Sequence, residues 1–351
     1  MANIVAQMTQ RVEQMPDCKL LQTTLIIPLE AKSWYSDHMT TTPSRRDILK
    51  LAAAGCGCIA MPRVAIGRLS INPPAKPLFR VSLAQWSLHK LLFANEITTL
   101  DFAQEASGMG FEAIEYVNSF FKDKAEDKSY LENLNSRASD AGMAQLLIMC
   151  DGEGSLGDAK TKQRTKAITN HYKWVHAAKE LGCHSIRVNA ASSGNYDEQQ
   201  RLAADGLRRL TEYAEPFGIN IIVENHGGLS SNGQWLAGVM KEVDHPMCGT
   251  LPDFGNFCLD WSKSDDPEFW YDRYQGTKEL MPFAKAVSAK SHEFDDQGNE
   301  TATDYRKMLN IVKESGYRGW IGVEYEGSKH SPRQGTMLTK TLLERVRDEL
   351  T

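Results

Sequence analysis

From residue 79 onward, apolar runs of five to eight residues, rich in β-branched side chains, alternate with longer segments whose apolar positions recur every three or four residues. The short runs read as strands buried on both faces, the longer ones as amphipathic helices. Eight strands are predicted, over 79–86, 112–117, 144–150, 184–189, 220–224, 247–253, 286–292 and 320–325. Predicted helices include 161–181, 198–215, 303–315 and 337–350. Eight strand-and-helix units in a stretch close to the ~250 residues such a fold typically takes point to a closed parallel (β/α)8 barrel. A doubly wound open sheet would want a glycine-rich phosphate loop after the first strand, where Trp86-Ser87-Leu88-His89 stands instead. The expected fold class is α/β, a single-domain TIM barrel over 79–351.

The pattern ahead of the barrel is different. Thr42-Pro43-Ser44-Arg45-Arg46-Asp47-Ile48-Leu49-Lys50 sets paired arginines before Leu51–Met61, an apolar stretch too short to span a bilayer. SRRDILK resembles the twin-arginine signal of exported bacterial proteins, with Ile48 where Phe is usual. Residues 39–66 are read as that signal, 1–38 as an extension ahead of a start at Met39, and 67–78 as a linker centred on Asn72-Pro73-Pro74-Ala75-Lys76-Pro77. The alternative, a basic cap on a buried helix, is weakened by Gly55 and Gly57 and by the lack of a polar face. The expectation is export in folded form by the twin-arginine machinery to the periplasm or cell envelope, with no membrane span after processing. Ala-Gly-Cys ending at Cys56 leaves a lipid-anchored form as an alternative.

Charge narrows the partners. The chain of 351 residues carries 40 Lys and Arg against 45 Asp and Glu. Residues 1–76 hold nine of the bases and five of the acids, so the remainder, 31 against 40, is near −9. Such a surface repels phosphate backbones, and no basic patch offsets it, so nucleic acid is not an expected partner. Seven cysteines without a CxxC pair indicate neither a disulfide framework nor a zinc knuckle. Folding before export is compatible with reduced thiols.

In a parallel barrel the active site lies at the C-terminal mouths of the strands. Strand five ends Ile222-Val223-Glu224-Asn225-His226-Gly227-Gly228, strand six Leu251-Pro252-Asp253-Phe254-Gly255-Asn256, and strand eight Gly322-Val323-Glu324-Tyr325-Glu326. Strand seven supplies Lys290 and His292, whose shared parity faces them to one side. Converging carboxylates raise each other's pKa unless a cation neutralises them, and oxygen ligands with one imidazole suit Mn, Mg or Co, with Zn as an alternative. Arg187 and Asn189 on strand four, Glu115 on strand two and Trp86 after strand one point toward the same mouth. There Arg187 is read either as a ligand for a sugar hydroxyl or phosphate or as a salt-bridge partner of Glu224. Trp86 is read either as a sugar platform or as cap packing.

At these residues the sequence resembles the xylose isomerase-like barrels, the sugar phosphate isomerase/epimerase superfamily. ENHGG and DFGN, in order on adjacent strands, carry the resemblance, and GVEYEG supports it. It implies one divalent metal held by Glu224, Asp253, His292 and Glu324, with Glu224 and Glu324 as the proton-transferring pair. It further implies a carbohydrate substrate contacted by residues such as His226, Asn256, Lys290, Arg187, Glu115 and Trp86. Three departures stand out. The usual strand-seven H-x-K pattern would place Ser288 at the ligand position, two residues before Lys290 and four before His292. Asn256 stands where epimerases tend to carry His. Glu326 shares the parity of Glu324, which is preferred because IGVE matches the depth of IIVE.

The expected activity is isomerisation or epimerisation of a carbohydrate by proton transfer next to a carbonyl. A lyase, dehydratase or hydrolase acting on an oxidised sugar or glycoside, and a non-catalytic sugar-binding barrel, are the alternatives. A histidine-rich endonuclease site is disfavoured by nine histidines in the whole chain, few at strand ends. Export favours unphosphorylated sugars or glycosides as substrates. A homo-oligomer is compatible with exposed barrel helices.

Overall fold

A computed structural model describes residues 77–351. The proposed extension, the twin-arginine segment and all but the last two residues of the linker lie outside the described residues.

Eight strands, β1 (Arg80–Ala84), β2 (Ala113–Val117), β3 (Ala144–Met149), β4 (Ser185–Val188), β5 (Asn220–Glu224), β6 (Cys248–Leu251), β7 (Val287–Ser291) and β8 (Trp320–Tyr325), form one parallel sheet in the order β6-β5-β4-β3-β2-β1-β8-β7. The ring closes between β6 and β7 through isolated parallel bridges, Thr250 to Ala284 and Asp253 to Ser288. Nine α-helices are found among the described residues: α1 (His89–Phe93), α2 (Phe102–Gly108), α3 (Lys128–Asp140), α4 (Thr161–Glu180), α5 (Tyr196–Ala214), α6 (Gly233–Val243), α7 (Arg273–Leu280), α8 (Tyr305–Glu314) and α9 (Pro332–Glu349). The expected TIM barrel is therefore the observed one. The helix starts follow side-chain chemistry: Asp127, Asn195 and Asp304 cap α3, α5 and α8, and Ser331 with Gln334 makes a capping box on α9.

Strand alternation decides which side chains reach the interior. Ile221 and Val223 on β5, Ile186 and Val188 on β4, Val287 and Ala289 on β7, and Ile321 and Val323 on β8 all pack outward in the main core against the helices. Parity then turns Glu224, Arg187, Ser288, Lys290, Gly322 and Glu324 inward. On β2, Ala113 and Val117 belong to the inner cluster, which places Glu115 inside as well. The lumen is thus lined by charge where such barrels more often hold branched aliphatics. Gly322 leaves room for this: a Cβ there would lie 2.7 Å from either oxygen of Glu115.

Candidate metal and active site

Glu224 ends β5 and Glu324 sits one residue before the end of β8, both buried. Asp253 lies two residues past β6, in the segment bridged to Ser288. Its backbone N–H donates to Asn225 Oδ1 at 2.8 Å, and its Oδ1 accepts from the N–H groups of Gly255 and Asn256, each at 2.8 Å. The DFGN turn therefore holds Oδ1 of this carboxylate with two backbone N–H groups, while Asn225 anchors the Asp253 backbone. One oxygen from each of Glu224, Asp253 and Glu324 lies within 4.8 Å of the others, and all three side chains are buried.

Two cations are locked among these acids. Arg187 Nη1 donates to Asp151 Oδ1 at 2.8 Å, while its Nε stands 2.7 Å from Glu224 Oε2 but out of hydrogen-bond alignment. Lys290 Nζ lies 2.8 Å from Glu324 Oε1 and 3.2 Å from Glu326 Oε1. The indole N–H of Trp86 also donates to Glu326 Oε1, Asn256 Nδ2 donates to Glu224 Oε1 at 2.9 Å, and Asn189 Nδ2 to Asp151 Oδ1 at 2.8 Å. Glu115 sits deeper, accepting from the Ser82 hydroxyl at 2.6 Å. Buried oxygens Oε2 of Glu224, Glu324 and Glu115 accept no hydrogen bond.

Six carboxylates thus share two fixed cations, and the pKa values register the imbalance. Burial pushes Glu224 up to about 7 against the pull of Arg187. Asp253 rises to about 7 through burial, opposed by Lys290 and reinforced by Glu224 and Glu324. Glu115 rises to about 7 through burial, its Ser82 hydrogen bond opposing and Glu324 and Glu224 adding. Asp151 goes the other way: burial would raise it, but Arg187 and Asn189 hold it down to about 2. Glu326 is likewise lowered, Lys290 and Trp86 overcoming its burial. Burial and the nearby Arg187 and Lys290 lower His226 and favour its neutral imidazole.

The donor set fits a hard divalent cation. Three buried carboxylates converge, two of them with an oxygen that accepts no hydrogen bond, in a lumen short of positive charge. The fourth expected ligand is corrected. His292 lies one residue beyond β7, is exposed and stands outside this group. Parity holds only while the strand ladder does. After Ser291, whose carbonyl accepts from Glu326 N, the chain turns outward. Two strand-seven side chains reach the carboxylates instead: Lys290, paired with Glu324 and Glu326, and Ser288, donating to Asp253 Oδ2 at 2.6 Å. Candidate ligands are therefore Glu224, Asp253 and Glu324, all oxygen.

The other expected residues divide. Trp86, Arg187, His226 and Glu324 line a cavity of about 350 Å³ over the site, together with Glu326, Asp151, Val117, Ser119 and Met149. Asn256 and Lys290 are buried and stand outside the cavity lining; Asn256 Nδ2 is held by Glu224 and Lys290 Nζ by Glu324 and Glu326. Glu115 is likewise enclosed in the lumen. Of the two readings of Arg187, the ion pair with Glu224 is observed, and the residue also lines the cavity. Asp151 was missed by the sequence reading. It is the first acid after the apolar run Leu146–Cys150, the same signal that marks Glu224.

Among curated proteins the chain is similar to the inosose dehydratase of Lacticaseibacillus casei, 24% identical over 286 residues, covering 71% of this chain and 90% of that one. Among solved structures, a D-tagatose 3-epimerase-like protein superimposes with a TM-score of 0.60 at 16% identity, covering 78% of this chain and 100% of that one. A xylose isomerase-like TIM barrel protein from Mycobacterium smegmatis, in complex with magnesium, gives a TM-score of 0.58 at 16% identity, covering 78% and 98%. At these identities the structural likeness shows the fold. The family model for the xylose isomerase-like TIM barrel matches residues 103–347, and the chain belongs to that family.

Proposed function

We propose that this protein is a divalent-metal-dependent isomerase or epimerase of an uncharged carbohydrate, exchanging a proton on carbon next to a carbonyl. The observation that carries the reading is the convergence of Glu224, Asp253 and Glu324 on one point beneath a cavity. A divalent cation there supplies the positive charge that offsets negative charge developing on substrate oxygens as the carbon-bound proton leaves. Glu324 Oε2 has no partner, and Glu224 Oε2 accepts no hydrogen bond and faces only the misaligned Arg187 Nε; they stand on strands β8 and β5, three strands apart by way of β7 and β6. Two such carboxylates can exchange protons with opposite faces of one carbon. Asn256 and Lys290 orient them by holding their other oxygens. His226, neutral, and Asp151, ionised, edge the cavity and suit hydroxyl recognition.

Charge pairing supports an uncharged substrate. Both lumen cations are 5% exposed, and each contacts two carboxylates, so neither is left to hold a phosphate or carboxylate group. This agrees with export to the cell envelope, proposed from SRRDILK, where unphosphorylated sugars and glycosides are the available class. Loss of water after the same proton abstraction is a second reading, favoured by similarity to inosose dehydratase across 90% of that protein's length.

The test is deuterium incorporation by NMR across a panel of keto-sugars and inososes in D2O, with Mg or Mn and then with chelator. Exchange next to the carbonyl, lost with chelator and in Glu224→Gln and Glu324→Gln, is the expected result. Chelator-insensitive exchange, or turnover that survives both substitutions, would overturn the reading.

A further inference from the structure

The cavity has one wall built from rings. Trp86 lines it, its indole N–H committed to Glu326. His89 stacks on Trp86 with centroids 4.8 Å apart and donates from Nδ1 to the Trp86 carbonyl at 2.6 Å. Phe93, at the end of α1, meets Trp86 edge-on at 6.0 Å and Phe120 at 5.2 Å. The ladder runs outward from the carboxylates to a phenyl ring that is 61% exposed. Across the mouth, Trp261 is 53% exposed and packs over Gly227, where a Cβ would lie 3.0 Å from its indole nitrogen. Gly227 holds φ +89, adjoins cavity-lining His226 and follows β5, which is four strands from β1 in either direction around the ring. Two of the four large exposed hydrophobic side chains among the described residues therefore flank this mouth from opposite sides.

Leaving such rings in water costs free energy that function must justify, and exposed aromatic surface continuous with a cavity marks a ligand site. Reading one sugar needs one platform, which Trp86 supplies. Resting on the carbohydrate reading above, we infer that the substrate is an oxidised glycoside, its sugar ring carrying the carbonyl that reading requires, whose aromatic aglycone extends into the mouth that Phe93 and Trp261 flank while the sugar occupies the polar floor. A second sugar fits this wall less well. Trp86 Nε1 and His89 Nδ1 are already bonded within the protein, which leaves His89 Nε2 as the one polar atom of these two rings for a sugar's several hydroxyls, so the wall offers mainly ring faces and edges.

The test is calorimetric binding to the metal-loaded protein of 4-nitrophenyl glycosides (β-D-gluco, β-D-galacto, β-D-xylo), unoxidised analogues that bind without turnover, each against its methyl glycoside, its free sugar and the matching disaccharide. At least one aryl glycoside should bind tenfold or more tightly than its methyl counterpart. Phe93→Ala and Trp261→Ala, both exposed positions, should erase that advantage and leave the methyl glycoside's affinity unchanged. Equal aryl and methyl affinities, a preference for the disaccharide, or an aryl advantage indifferent to both substitutions would overturn the inference while leaving the carbohydrate reading intact. Failure of every sugar and glycoside to bind would sink the carbohydrate reading itself and this inference with it. A dimer in solution that Phe93→Ala dissociates would show that a second copy covers the patch, which also overturns it.

Discussion

Replacing Glu115 by Gln isolates the cost of charge inside the barrel. Glu115 is 1% exposed, accepts one hydrogen bond from Ser82 and has no partner for Oε2. Its pKa stands at about 7 in the folded chain against an ordinary 4.5, through burial first and then the neighbouring Glu324 and Glu224. Because the folded pKa is raised, the unfolded chain releases this proton at lower pH than the folded one. The group's contribution to stability is full below 4.5 and is lost as pH rises through 7. At about 1.4 kcal/mol per pH unit over that interval, the loss is roughly 3 kcal/mol by pH 8. A glutamine still accepts the Ser82 hydrogen bond and never ionises. With chelator present throughout, urea denaturation at pH 4.5, 6 and 8 should show the variant gaining on the wild type by roughly 3 kcal/mol across the series, then no further. A difference independent of pH, or one that grows in favour of the wild type, would refute the claim that Glu115 is an uncompensated buried acid.

Other perturbations separate the remaining roles. Arg187→Met removes the cation between Asp151 and Glu224 and should cost about 3–5 kcal/mol at pH 8, read by denaturation, as is usual when one partner of a buried pair is deleted. That cost should shrink toward pH 5 as Glu224 takes up a proton, and Arg187→Lys should recover little of it, because Asp151 and Glu224 face two different nitrogens of the planar guanidinium, a spread that the single nitrogen of a lysine does not reproduce. Ser288→His places an imidazole beside Asp253 and should shift metal preference from Mg or Mn toward Zn by on the order of tenfold or more. Competition dialysis with elemental analysis reads that shift, and an unchanged preference would mean that strand seven does not face the ion.

Much of this site is legible along the chain, for a physical reason. Strands β5 and β8 have the bounds their apolar runs predict, because each run ends at or just before a carboxylate where the barrel opens to water. Alternation within those strands then fixes Glu224 and Glu324 on the lumen side. Asp253 is legible from DFGN although it lies past β6, since the turn itself binds the carboxylate. His292 shows the limit of the method. Counting by twos carries a side chain to the right face only while the backbone stays in the sheet, and β7 ends at Ser291. The long-range contacts are beyond any local pattern: Trp86 reaches Glu326 across 240 positions, and Arg187 reaches Asp151 across 36. The first pairing follows from the barrel bringing its first strand, β1, beside its last, β8, and the second from the parallel pairing of consecutive strands β3 and β4. Helices α1, α2, α3, α6 and α7 were not singled out from the sequence. Three of them, α1, α2 and α7, have only five, seven and eight residues, too few for a periodicity to stand out.

Titration of the chelator-stripped protein with Mn by calorimetry, supported by the spectrum of the bound ion, bears most directly on the carboxylate centre. One ion should bind per chain, with binding lost or severely weakened in Asp253→Asn and in Glu224→Gln and retained in His292→Ala. Absence of binding to the wild type, or binding that survives Asp253→Asn and Glu224→Gln but not His292→Ala, would contradict it.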